Sequence, residues 1–213
     1  VRVTRLGHAC LLIEADDTRL LIDPGNLSDS WHDTAPDAVL VTHQHLDHFD
    51  SAPVRDLLAR NPGGRLIMEG EVAPLAAEAG MEPEVAAPGD AFTIGSLGVE
   101  TVGGRHAVIH PSIPRVGNVG YVISEGDGPR LYHPGDAYEY PLQGIDVLAV
   151  PLSAPWARVA HTADFVSAVA PSRVFPIHDG HLSSNGLASH MRLVRQIAGM
   201  DVEEVWTGDS VEV

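Results

Sequence analysis

The stretch Thr42-His43-Gln44-His45-Leu46-Asp47-His48 constrains this chain more than any other. It follows a short apolar run, Ala38 to Val41, that extends to Thr42 as a buried strand. It precedes the apolar stripe Val54, Leu57 and Leu58 of a short helix, with Asp50 or Ser51 at its N-cap and Pro53 in its first turn. Imidazole suits zinc, iron, nickel and copper, and carboxylate adds charge and can bridge, so three histidines and an aspartate in so short a span point to metal binding. In extended backbone, residues two apart share a face, which lets His43 and His45 grip one ion while Gln44 points away. Asp47 and His48 come after the chain bends, and their side chains diverge from that ion. Ligands aimed two ways imply two metals, placed where a strand hands over to a helix, the usual seat of function on an α/β layer.

The remainder of the chain supplies more strands. Val1–Leu6, Cys10–Ala15 and Arg19–Ile22 form a β-meander with turns at Gly7-His8 and Asp16-Asp17. Asp23-Pro24-Gly25 closes it, and Asn26 to Asp37, with Trp31 and His32, is a polar loop able to rim a site. Arg65–Glu69 reads as a strand, Glu71–Gly80 as a short helix, and Ala91–Ile94 with Val99–Val102 as a hairpin. Val119–Ser124 pairs with Arg130–Tyr132, and Asp146–Leu152 is a central strand. A helix over Thr162–Ala170 leads to the strand Arg173–Ile177. The last helix, Leu187–Ala198, has Ser184 or Asn185 as its cap, and Val202–Trp206 and Ser210–Val213 are expected to be terminal strands. Strands first and helices after, in each half, suggest sheets packed together with helices outside.

One regularity ties the distant parts together. Besides the opening motif, three apolar strands end in His106, Asp136 and His178. Strands packed side by side bring their ends to a common edge, so these residues should meet.

On these residues the chain resembles the metallo-β-lactamase fold superfamily. The likeness spans nearly the whole chain, with five motifs in order at Asp23, Thr42 to His48, His106, Asp136 and His178. Gly7-His8-Ala9 and Tyr132-His133-Pro134-Gly135-Asp136 make it most similar to the branch with ascorbate-6-phosphate lactonase-like hydrolases. The resemblance implies an α/β (α+β) four-layer αββα sandwich in one domain, residues 1–213. It implies a first metal on His43, His45 and His106, a second on Asp47, His48 and His178, and Asp136 as the bridge, with Asp47 and Asp136 as catalytic carboxylates. Asp23 would support the ligands from behind. His8, His161, His110, His133 and Trp156 are expected behind the ligands or against substrate, and Arg115 and Arg158 are expected to grip an anionic group.

The expected cofactors are two divalent ions, zinc first, with manganese, nickel or iron as alternatives. Two cations ~3.5–4 Å apart share a water whose pKa falls toward neutrality, giving a bridging hydroxide to attack a small ester, lactone or phosphodiester. A redox diiron protein of this fold is the alternative, as is a non-catalytic metal-containing binding protein. The redox version is disfavoured because such enzymes carry Glu where His45 stands, together with a flavin module.

Composition narrows partners rather than fold. All 13 basic residues are arginine against 29 acidic ones, for a net charge of −16. Lysine chemistry is excluded, and a nucleic-acid partner lacks its positive footprint. No apolar run has membrane length, and no signal-peptide pattern opens the chain, so a cytoplasmic location is expected. The single Cys10 reads as a buried structural thiol. The expected partner is a small molecule, anionic groups being drawn to the metals, and the sequence is compatible with an oligomer.

Overall fold

Side-chain alternation along the strands sorts the apolar residues into three separate cores in the computed structural model, which describes residues 1–213. The chain runs β1 (Arg2–Arg5), β2 (Leu11–Ala15), β3 (Thr18–Ile22), β4 (Ala38–Val41), α1 (Ser51–Arg60), β5 (Arg65–Glu69), α2 (Ala73–Glu78), β6 (Glu84–Ala86), β7 (Ala91–Ile94), β8 (Leu97–Gly103) and β9 (Val119–Glu125). It continues through β10 (Leu131–His133), β11 (Val147–Pro151), α3 (Val159–Val169), β12 (Arg173–Ile177), α4 (Ser184–Ala198) and β13 (Ser210–Glu212). One sheet has the order β13-β1-β2-β3-β4-β5-β6, the other β12-β11-β10-β9-β8-β7.

In β4, Ala38 and Leu40 face the second sheet, whereas Val39 and Val41 face outward onto Val54 and Leu57 of α1. In β11, Val147 and Ala149 face inward, and Leu148 and Val150 pack outward against Phe165 of α3 and Met191 of α4. Strands covered on both faces must be apolar at every position, which is why these segments read as continuous hydrophobic runs. Each such buried aliphatic stabilises the fold by roughly 1.5–3 kcal/mol. The outcome is a four-layer αββα sandwich. No helix is long and apolar enough to cross a membrane.

Strand direction decides where the functional groups gather. β3, β4 and β5 are parallel neighbours, so Asp23 and Thr42 leave the first sheet at the same end. β10, β11 and β12 are also parallel, and β8 runs with β10 because both are antiparallel to β9. Asp136, His178 and His106 therefore leave the second sheet at one end.

Several local expectations need correcting. Val202–Trp206 is not a strand: only an isolated bridge joins Val202 to Val174, and the Val205 carbonyl is taken by the Arg5 guanidinium at 2.5 Å instead of a ladder partner. β6, an edge strand of three residues, was too short to show a period. α3 begins at Val159, because the Arg158 carbonyl already accepts from Thr162 N–H at 3.1 Å and no side chain marks that start. Ser183, not Ser184 or Asn185, caps α4, its hydroxyl accepting from Gly186 N–H at 3.2 Å. Trp31 does not rim a site: it is buried in the core between the first sheet and its helices.

Candidate metal centre

Tight turns at the strand ends hold the chemistry-bearing side chains. His8, Asp23 and His178 have φ of 45°, 48° and 57°, left-handed values that cost side-chain-bearing residues about 1 kcal/mol or more. The surroundings enforce them. His178 N–H donates to the His8 carbonyl at 2.8 Å, and buried Arg5 pairs with Asp179 at 2.7 Å, so the β12 turn is pinned to β1. Gly25 lies so close to the Asp47 carbonyl that a Cβ there would collide with backbone.

Two groups of donors result. The ligand atoms of His43, His45, His106 and Asp136 lie within 4.8 Å of one another, and so do those of His8, Asp47, His48 and His178. Each group draws on both sheets. Asp136 spans them: its Oδ2 is 3.3 Å from His106 Nε2 and 3.2 Å from His178 Nε2, and its Oδ1 is 3.3 Å from His48 Nε2.

Hydrogen bonding behind the rings dictates their tautomers. His106 Nδ1 contacts the Ala107 carbonyl and His178 Nδ1 the Ser153 carbonyl, each at 2.7 Å. A carbonyl only accepts, so the proton sits on Nδ1 in both. His48 Nδ1 donates to Asp23 Oδ2 at 2.7 Å. The Thr42 hydroxyl gives its one proton to the same Asp23 oxygen at 2.7 Å and thus accepts from His43 Nδ1 at 3.0 Å. In their neutral forms four imidazoles thus present Nε2 lone pairs to one small volume, with His43 Nε2 3.0 Å from His45 Nδ1. Nε2 of His48, His106 and His178, together with Oδ1 of Asp136, are buried without any hydrogen-bond partner. Such orphans cost about 1–3 kcal/mol each, and converging lone pairs are what a divalent cation requires. The donors present therefore fit metal.

The electrostatics agree. Burial would lower His48, but Asp136 and Asp23 outweigh it and raise its pKa well above the ordinary imidazole value. His178 is raised by Asp136 in the same way, against burial. Burial wins at His43 and His45 and keeps both low. Burial would raise Asp136, but His178 and His48 hold it well below the carboxylate range. Asp47 is likewise lowered against burial, by the His8 hydrogen bond and by His48 and His178. Positive charge is favoured here, and both carboxylates stay ionised.

Two residues hold those carboxylates. Gly180 N–H donates to His8 Nδ1 at 3.1 Å, so His8 Nε2 carries the proton and donates to Asp47 Oδ2 at 3.1 Å. Burial brings the His8 pKa down to about 4, leaving it a neutral hydrogen-bond donor rather than a lone-pair donor. Trp156 Nε1–H donates to Asp136 Oδ2 at 2.9 Å, and its ring packs edge-on against Tyr138.

Other expected residues lie elsewhere. His161 is exposed on α3, in a shallow cleft with Tyr138 and Asp164, where the helix turns it away from the donors. His110 is exposed and bonds Ser112, its loop bending outward. His133 is fully buried behind the ligands, donating to the Ala9 carbonyl at 2.9 Å with Asp23 Oδ2 3.9 Å away, so of its two expected places it takes the one away from substrate. Arg115 lies 2.8 Å from Glu139 and donates to the His106 carbonyl at 2.6 Å. Arg158 is exposed at the start of α3.

Two contributors gave little sequence signal. Thr42 stood inside the motif, yet its relay between His43 and Asp23 depends on a contact across strands. Asn118 frames the Asp136 turn, accepting from Asp136 N–H at 2.9 Å and donating to the Pro134 carbonyl at 3.0 Å. Nothing in its sequence neighbourhood marks it.

A family model described as Beta-lactamase superfamily domain matches residues 2–178. Protein Rv0786c of Mycobacterium tuberculosis is 42% identical over 180 residues, 84% of either chain. A UPF0173 metal-dependent hydrolase of Nitratidesulfovibrio vulgaris is 32% identical over 197 residues, 84% of this chain and 80% of the relative. Among solved structures, Igni18, a novel metallo hydrolase from the hyperthermophilic archaeon Ignicoccus hospitalis, superposes with a TM-score of 0.74 over 99% of this chain and 97% of its own. At 20% identity that is a likeness of fold alone.

Proposed function

The chain belongs to the beta-lactamase superfamily and has the metallo-β-lactamase fold, and from that premise we propose that it is a dinuclear metal-dependent hydrolase acting on a small ester, lactone or phosphodiester. The observation that carries this reading is the set of buried, partnerless lone pairs on His48, His106, His178 and Asp136. His43, His45 and His106 would hold one ion, Asp47, His48 and His178 the other, and Asp136 would bridge them. A donor set rich in imidazole suits zinc first, then manganese, nickel or iron. Two such ions would supply Lewis acidity and hydroxide near neutral pH. The N. vulgaris relative, named a metal-dependent hydrolase, supports the reaction class.

The chain's own residues do the positioning. Asp23 and Thr42 lock the imidazole tautomers from behind, Trp156 orients Asp136, and His8 orients Asp47. Asp47 and Asp136 are held ionised, so they serve as fixed negative charges rather than as general acids.

Metal analysis and turnover test this together. Protein loaded with each metal is assayed on p-nitrophenyl esters, γ-lactones and bis-p-nitrophenyl phosphate. Two metal equivalents with turnover abolished in Asp136→Ala are expected. Absence of turnover above that control on all three classes overturns the reading, and paired iron with a visible absorption band would point to redox chemistry instead.

A further inference from the structure

Beside the first donor group lies a recess of about 80 Å3, walled chiefly by His45, His106, Ile109, Ile113, Pro114 and Val116. One side is imidazole and the other aliphatic. Of the nine large apolar side chains left exposed on the whole surface, four belong to the segments beside it: Leu46, directly after His45, and Val108, Ile109 and Ile113 on the loop after His106. On a chain of net charge −16, this concentration marks a place that something apolar covers. The cation at the recess, Arg115, lies 2.8 Å from Glu139 and donates to the His106 carbonyl at 2.6 Å. An anionic substituent would have to compete with Glu139 for that cation, whereas an alkyl group would find aliphatic contact beside the imidazoles of His45 and His106.

We propose that this recess receives a short aliphatic group adjoining the scissile carbonyl, so that the substrate is a neutral ester or lactone with such a side chain. Size sets the limit. An apolar cavity of about 150 Å3 takes a benzene ring, so a recess of about 80 Å3 favours roughly three or four carbons over an aryl group. The inference rests on the hydrolase reading above and deepens it by naming the substrate class.

The test has two arms. In the first, zinc-loaded protein is assayed on p-nitrophenyl acetate, propionate, butyrate, octanoate and benzoate. kcat/KM should rise about fourfold per methylene as far as butyrate, about fifteenfold in all from acetate, then level off, with benzoate below butyrate. Ile113→Asp should flatten the rise, and Val85→Asp, on the distant edge strand β6, should leave it intact. In the second arm, methyl NMR follows Ile109 and Ile113 as butyramide, acetamide or benzamide is added. These neutral amides report on the recess whether or not the protein turns over esters. Saturable shifts with butyramide alone are expected. Turnover without chain-length dependence, or equal shifts for acetamide and butyramide, overturns the inference while the hydrolase reading stands. Butyramide-specific shifts with no turnover of any ester support the recess as an aliphatic site and overturn ester hydrolysis.

Discussion

The indole N–H of Trp156 meets Asp136 Oδ2 at 2.9 Å, on the same oxygen that lies between His106 and His178. The donor fixes the rotation of a carboxylate that must face two groups of imidazoles at once. Trp156→Phe keeps a ring against Tyr138 and removes only the N–H. Metal affinity should fall roughly 10- to 100-fold, as when other partners behind metal ligands are lost. Competition with a chromophoric chelator measures it, and undiminished affinity would remove Trp156 from the metal-holding apparatus.

The two donor groups should empty separately. His43→Ala or His45→Ala is expected to deplete one ion and spare the other, leaving about one equivalent after dialysis. Asp136→Ala should weaken both, because its oxygens reach both groups. Elemental analysis of the dialysed variants decides the matter: two full, tightly held equivalents in Asp136→Ala would refute the bridge.

Thr42→Val is nearly isosteric, yet it strips the hydroxyl that accepts from His43 Nδ1 and donates to Asp23. Both partners are fully buried. Leaving a buried polar group unpaired costs about 1–3 kcal/mol, so a loss of that size is expected in urea unfolding. Thr42→Ser, which keeps the hydroxyl, should retain most of the stability. Equal losses in the two variants would show that the methyl group, not the relay, matters.

His133 gives a pH dependence with a definite sign. Its Nε2 donates to the Ala9 carbonyl and its Nδ1 accepts from Gly135 N–H at 3.2 Å, so a second proton would break the latter contact. Burial holds its pKa below the ordinary imidazole value. As pH falls through about 6.5 the unfolded chain binds a proton that the folded chain refuses, so stability is full above that pH and declines below it. His8, held to about 4, acts in the same direction down to that pH. His48 and His178, both raised, act in the opposite sense, so the sign is read as a difference: in thermal unfolding from pH 7.5 to 5 the wild type should lose more Tm than His133→Gln, in which the other histidines contribute alike. An unchanged slope in that variant would assign the proton uptake elsewhere.

The fold was legible because strands buried on both faces leave unmistakable apolar runs, such as Asp146 to Leu152, whose core became β11. The meeting of His43, His106, Asp136 and His178 was legible for a related reason: strands running the same way end on the same side. Sequence was weakest where a side chain's role depends on its rotation. His161 and His110 are the same residue type as His106, yet a helix face turns one away and an outward loop the other. Arg115 read as a free cation until Glu139 came beside it. Asn118 and Arg5 act only through contacts made by distant chain, and no local pattern announces such contacts.

Each donor group takes residues from both sheets, which also meet through the apolar core between them and through buried hydrogen bonds such as Tyr121 Oη to the Val41 carbonyl at 3.0 Å. An ion bound there is a rivet through the sandwich. Its binding free energy adds to the cohesion of the two halves, since a ligand held only by the folded chain stabilises it by mass action. Metal supply and the stability of the fold would thereby be linked through the strand ends, where the strained turns at His8 and His178 lie.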